Sequence, residues 1–257
     1  MAPAGQRRLI VNADDFGLTD GVSSGIVHCL RAGIVTSTSA LVCDPAAPQR
    51  LDQWREALQG RAGVHLQMTD GRPLSDPASV ASLLTPQGIF PRFPDAIGQF
   101  DTDELRREWH AQVATFLDSG LAPTHMDTHH HVHSHPVIFG VYREIATAYG
   151  LPARTLSAEM TRQLRSGGVP CACLSAEWKA GDQQSLLDLV SRLFTALAGD
   201  SVVEIGCHPA RIDAELERLS VYASPRAREL EVLCTLSLRR ELADRGIQLV
   251  PARALSL

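Results

Sequence analysis

No apolar run in this 257-residue chain approaches the roughly 20 residues that a membrane-spanning helix needs. A soluble protein is therefore expected. No cluster of Lys or Arg stands out, and the net charge is -5, so the chain lacks the basic surface that nucleic acid or another polyanion requires. Small neutral substrates are favoured. The short basic start, Met1 to Arg8, leads into a strand-like run without a long apolar core or cleavage site. Secretion is not expected, and a cytoplasmic location is. The six cysteines are scattered without a C-x-x-C pair, which suits reduced thiols and argues against a disulfide framework or a cysteine-built metal site. Internal repeats and low-complexity tracts are also missing.

What the chain does have is enough apolar residue, 44%, to bury a sizeable core, and a length that fits one large α/β domain spanning residues 1–257. Arg8 to Ala13 reads as a buried strand, followed by a helix from Asp20 that Gly33 closes. Ile34 to Val42 reads as a strand, Pro45 to Leu58 as a helix and Gly63 to Leu66 as a strand. This βαβαβ order predicts parallel strands with crossover helices. Residues 68–101 dissolve into glycine, proline and scattered apolar positions, the pattern of an active-site lid or substrate wall. Helices are predicted over Asp103 to Leu117, Pro136 to Tyr149 and Ser185 to Leu197. Further strands are predicted at Ala153 to Leu156, Val169 to Leu174, Ser201 to Cys207 and Ile247 to Val250. Two helical segments, from Arg226 to Leu233 and after Thr235, precede the last strand. About seven strands with interleaved helices point to an irregular, TIM-barrel-like (β/α) barrel, with an open doubly wound sheet as the alternative.

One stretch stands apart. Between Thr124 and Pro136 lie six of the ten histidines and Asp127. Neutral imidazole is a good ligand for borderline metals, and a nearby carboxylate can ligate the metal or orient a histidine. Histidine runs also arise as tags or metal-scavenging tracts, but this one is interior, interrupted and flanked by apolar periodic segments. Read as a strand, it puts His125, Asp127 and His129 on one face.

Four groups end predicted parallel strands: Asp14 and Asp15, His65, the His125 to His135 stretch, and His208. In a (β/α) barrel such ends converge on one mouth. Two carboxylates beside one cation can divide the work, one as ligand and the other as base. The alternatives are ordinary: adjacent acids also cap helices, and a histidine ending a strand is often only hydrogen-bonded in the core. Cys207, beside His208, has no neighbour that would activate it and reads as packing.

Together, Asn12-Ala13-Asp14-Asp15-Phe16-Gly17, Gly63-Val64-His65-Leu66 with Thr69-x-Gly71-x-Pro73, the Thr124 to His133 stretch and Cys207-His208-Pro209 resemble the YdjC-like carbohydrate deacetylases. Within them the resemblance is to the chitooligosaccharide (chitobiose) deacetylase branch, which acts in chitin degradation. It runs from about Leu9 to the C-terminus and takes in Tyr222, Pro225-Arg226 and Glu229-Leu230. The resemblance implies a deformed (β/α) barrel that binds one divalent cation, magnesium or zinc, through Asp15, His65 and His129. It implies Asp14 as general base, and His208 is the candidate acid for the leaving amine. Asp127 is expected to orient a histidine, while His125, His131 and His133 contact substrate or support the site. The implied reaction is hydrolysis of the N-acetyl group of an amino sugar, and the implied assembly is a homodimer. A metal- or sugar-binding regulator without catalysis, or a hydrolase of another amide, would use the same scaffold. Met68, and the loop from Ser75 to Phe100, depart from the branch.

Overall fold

The computed structural model of the chain describes residues 5–256. Its N-terminal apolar run becomes the central strand, β1 (Arg7–Phe16), buried from Leu9 to Phe16. A strand covered on both faces reads as a continuous apolar run rather than an alternation. In chain order there follow α1 (Asp20–Ala32), β2 (Ser37–Ala40), α2 (Ala47–Gln53), α3 (Arg55–Leu58), β3 (Ala62–Leu66) and α4 (Thr102–Asp118). Then come β4 (Met126–Thr128), α5 (Pro136–Tyr149), α6 (Ala158–Ser166), β5 (Leu174–Glu177), α7 (Gln183–Thr195) and β6 (Ser201–Cys207). The chain ends with α8 (Ala214–Leu219), α9 (Ala223–Leu233), α10 (Leu236–Asp244) and β7 (Ile247–Leu249).

The seven strands found among the described residues form one sheet in the order β4-β3-β2-β1-β6-β5, with β7 also paired to β1. Every pairing is parallel. Between its two outer strands the sheet curls round through irregular backbone. Met126 bridges Ala153, Ala153 N donates to Pro170 O at 2.9 Å, and Cys173 N donates to Val202 O at 2.7 Å. The expected irregular (β/α) barrel is thus a curled parallel sheet wrapped by helices, and all its strands aim their C-terminal ends at one mouth. Thr19 caps α1 by accepting from Val22 N at 3.1 Å, and Gly33 closes the helix. No helix among the described residues is long and apolar enough to cross a membrane.

Several boundaries differ from the sequence reading. The histidine-rich stretch is a strand only as far as Thr128, because His130 and His131 take φ of 54° and 52°, a left-handed conformation that no strand accommodates. Ala153 forms a single bridge rather than a strand. The strand expected at Val169 to Leu174 lies instead at Leu174–Glu177, beyond Pro170, which has no N–H to give to a ladder. The second strand narrows to Ser37–Ala40, and the Pro45 to Leu58 helix divides at Trp54. Helices α6 and α8 were not anticipated.

Residues 68–101 form an ordered wall at the mouth. Buried Glu108 of α4 accepts from Leu74 N at 3.1 Å and Ser75 N at 2.9 Å, and Phe90 N donates to Gly71 O at 3.0 Å.

Candidate metal centre

The site begins where β1 loses its regularity. The register of β1 against β2 shifts between Ala13 and Phe16, and Asp15 takes a φ of 71°. Aspartate tolerates this region better than most residues, and a bulge re-aims the side chains that follow it. Asp14 and Asp15, which would face opposite ways on a regular strand, are consequently both buried at the mouth.

Their partners differ. Asp14 is gripped by Arg154, whose Nη1 donates to Oδ2 at 2.5 Å and Nη2 to Oδ1 at 2.8 Å, and Asn12 Nδ2 adds a bond to Oδ1 at 2.8 Å. Burial works to raise the Asp14 carboxyl, but the Arg154 charge and hydrogen bonds overcome it and hold the group far below the usual carboxylate range. Asp15 Oδ1 meets His129 Nδ1 at 2.9 Å and His65 Nε2 at 3.3 Å, while Oδ2 accepts from Arg226 Nη2 at 2.6 Å. Here too burial opposes the charge, and Arg226 followed by His129 prevails, leaving Asp15 well below its ordinary value.

His65 and Asp127 are register partners on β3 and β4. Their side chains meet at 2.6 Å between Nδ1 and Oδ1, so Nδ1 is committed to the carboxylate and Nε2 turns to Asp15. Ser39 Oγ braces the pair, 2.9 Å from Asp127 Oδ2 and 3.1 Å from His65 Nδ1. Burial lowers the His65 pKa, but Asp127, Asp15 and Asp14 together push it up to about 10. A carboxylate holding the far nitrogen of a histidine is the usual support of a metal-ligating imidazole.

Asp15, His65 and His129 each present one donor atom, all within 4.8 Å of one another, and all three side chains are buried. Two imidazole nitrogens and a carboxylate oxygen fit a divalent cation, and three protein ligands leave positions for water and substrate. A similar cluster of Asp14, His65 and Asp127 is already neutralised, because Arg154 Nη2 lies 2.9 Å from Asp127 Oδ2 as well as on Asp14.

The other histidines separate. His133 is fully buried, stacked on Tyr142 with ring centroids 4.5 Å apart and 2.6 Å from Thr128 Oγ1 through Nδ1, so it supports the core. His125 packs behind the site with Nε2 2.9 Å from Asn12 Oδ1. Both lie away from the cavity. His131 pairs through Nε2 with Glu177 Oε1. His208 follows β6, lines the cavity, and has its Nε2 3.8 Å from the same Glu177 oxygen. Burial opposes ionisation of Glu177, but the bond from His131 and the charges of His131 and His208 hold it at about 2.

The cavity has a volume of about 210 Å³ and is lined by Asp15, His129, His130, His208, Tyr222 and Arg226, with Phe93 of the 68–101 segment on its outer wall. A second hollow of about 270 Å³ shares the lining residues Leu18, Asp70 and Leu219. Sequence reading did not anticipate Arg154, Glu177, Arg226, Ser39 or His130 as members of this site. Glu177 lies in a segment with no clear period, Arg154 in a short predicted strand too brief to mark which way it faces, and Ser39 in the middle of an apolar strand. Arg226 belonged to a matching motif without a role, and His130 carried no mark to tell it from its neighbours.

The chain is similar to known proteins over nearly all of its length. The model of the family described as YdjC-like protein matches residues 8–244. A carbohydrate deacetylase of Geobacillus stearothermophilus is 37% identical over 248 residues, 96% of this chain and 97% of the relative. A chitooligosaccharide deacetylase of Salmonella paratyphi B is 35% identical over 250 residues, 94% of this chain and 96% of the relative. The crystal structure of an Enterococcus faecalis V583 protein, provisionally assigned to cellobiose-phosphate cleavage, superposes with a TM-score of 0.89 at 32% identity, covering 98% of this chain and 100% of that one. With full-length relatives that are enzymes and a family match over most of its residues, the chain belongs to the YdjC-like family.

Proposed function

We propose that the chain is a single-domain, metal-dependent carbohydrate deacetylase that removes N-acetyl groups from amino sugars of the chitooligosaccharide type. The observation that carries this reading is the pair Asp14 and Asp15. One acid belongs to a buried set of metal donors, and its neighbour is held charged but outside that set. A second ionised acid beside the metal donors suits a general base.

Asp15, His65 and His129 would hold one divalent cation, which when bound acidifies water and polarises a carbonyl. Two imidazoles and one carboxylate suit zinc by ligand softness, with magnesium the alternative. Asp14 acts as general base toward the attacking water. The Arg154 clamp keeps it ionised and aimed, though weakly basic. His208 returns a proton to the leaving amine. Donor atoms of Asp14, Glu177 and His208 lie within 4.8 Å of one another, so base and acid work over the same small space. Glu177 places a carboxylate oxygen 3.8 Å from His208 Nε2. Two adjacent hollows suit a substrate of more than one sugar ring.

The test is metal analysis of the purified protein, then acetate release from N,N'-diacetylchitobiose. Asp14→Asn should keep its metal and lose turnover, and His129→Ala should lose metal affinity. Turnover by Asp14→Asn at the normal rate would remove the base assignment. Sugar binding with no acetate released under any divalent metal would favour a non-catalytic binding protein.

A further inference from the structure

Two arginines serve the adjacent aspartates, and they are used very differently. Arg154 commits all three of its nitrogens: Nη1 and Nη2 to Asp14, Nη2 also to Asp127, and Nε to Glu204 at 2.6 Å. Its donors are answered within the protein. Arg226, in the first turn of α9, commits one. Its Nη2 donates to Asp15 Oδ2 at 2.6 Å, while Nε and Nη1 are buried with no hydrogen-bond partner. The side chain is 5% exposed and lines the cavity beside His129 and His208.

Buried donors without acceptors are destabilising, and more so on a charged group. Arg226 tolerates two of them in a side chain that lines the cavity and already holds an oxygen of the candidate metal ligand Asp15. A guanidinium cannot be deprotonated in a protein, so it gives and takes no proton during the reaction. It is a fixed positive charge with spare N–H groups.

We propose that Arg226 is a catalytic residue that donates its free N–H groups to the acyl oxygen, first as carbonyl, then as the tetrahedral oxyanion, and finally as one oxygen of the product carboxylate. The inference rests on the deacetylase reading. In the step it assists, the water oxygen bonds to the acyl carbon and its proton passes to Asp14. The C–N bond then breaks with its electron pair going to nitrogen, which takes a proton from His208. Acetate and free amine are the products. Donors aimed at an oxygen that gains charge stabilise the transition state more than the ground state. A guanidinium also suits the two oxygens of a carboxylate.

Arg226→Lys keeps a cation that can pair with Asp15 but loses the spare planar donors, and Arg226→Gln keeps donors without the charge. For each variant, zinc affinity by calorimetry, thermal melting, kcat and KM on N,N'-diacetylchitobiose, and inhibition by acetate are measured. In Arg226→Lys, zinc affinity and melting should stay near those of the unmodified protein. Its kcat should fall by about 10²–10³-fold, as for loss of an oxyanion donor, while KM moves little and acetate inhibits at least tenfold more weakly. Arg226→Gln should fall between the two proteins in kcat. Unchanged kcat and acetate inhibition in Arg226→Lys would overturn the proposal. So would a kcat loss that disappears once zinc is saturating, because Arg226 would then act only through Asp15. Failure of the unmodified protein to release acetate from any N-acetylated sugar would instead remove the deacetylase reading itself.

Discussion

Replacing Arg154 by methionine is the perturbation that most directly probes how the centre is held together. The side chain is almost fully buried and touches three buried carboxylates, Asp14, Asp127 and Glu204, at 2.5 to 2.9 Å. Methionine fills much of the space and removes the charge. Leaving one partner of a buried ion pair uncompensated costs about 3–5 kcal/mol. The loss should stay in that range rather than triple, because burial raises the Glu204 carboxyl even with Arg154 beside it. Glu204 can therefore take up a proton instead of remaining a bare charge. For a chain of this size such a loss corresponds to a melting temperature lower by roughly 10 °C. The pH dependence supplies a second check. In the unmodified protein Asp14 lies below its unfolded value, so its contribution is present above the unfolded pKa and is lost as pH falls toward the folded one. In the variant the orphaned carboxyls sit above their unfolded values, so the folded state binds the extra protons and acid stabilises it relative to pH 7. Urea unfolding at pH 7 and pH 5 should show the gap between the two proteins narrowing at the lower pH. A loss below about 1 kcal/mol, the range of an exposed ion pair, or a gap that widens in acid would refute the reasoning.

Two further outcomes follow from the same contacts. Asp127→Asn should weaken zinc affinity by about 10–100-fold, as loss of a ligand-orienting carboxylate does, because His65 Nδ1 loses its charged partner at 2.6 Å; calorimetric titration checks it, and unchanged affinity counts against His65 as a ligand. His125 is buried, and burial lowers its pKa to about 4 from the ordinary 6.5. The folded protein then leaves unbound a proton that the unfolded chain accepts, so stability is complete above about pH 6.5 and falls by about 3 kcal/mol as pH drops through about 4. His125→Gln should flatten the stability profile in that window, measured by urea unfolding at fixed pH steps, and an equally steep profile would put the acid sensitivity elsewhere.

How much of this was legible beforehand depended on whether a residue advertised its position through periodicity. His65, Asp127 and His129 did, since an apolar strand ending in a polar residue at the mouth is written in the sequence. The alternation of His125, Asp127 and His129 survives only to the end of β4, yet that was enough to bring Asp127 to His65 and His129 to Asp15. Asp14 and Asp15 were read as a pair at the strand end, and both are buried there, but the device that turns both inward, a bulge with Asp15 at φ 71°, leaves no pattern in a run of apolar and acidic letters. Glu177 and Arg154 were unreadable for another reason. Each lies on or beside backbone that closes the barrel irregularly, so neither a period of two nor one of 3.6 marks which way it faces.

Charge explains why the unreadable residues had to be there. Asp14, Asp15, Asp127 and Glu204 are buried around one point, faced by the two guanidiniums of Arg154 and Arg226. The buried acids outnumber the guanidiniums that face them. The rise of His65 to about 10, driven by Asp127, Asp15 and Asp14, registers the same excess. The division between the adjacent acids is therefore fixed less by the acids than by their partners. Arg154 takes both oxygens of Asp14, whereas Arg226 takes a single oxygen of Asp15 and leaves the other to face His65 and His129.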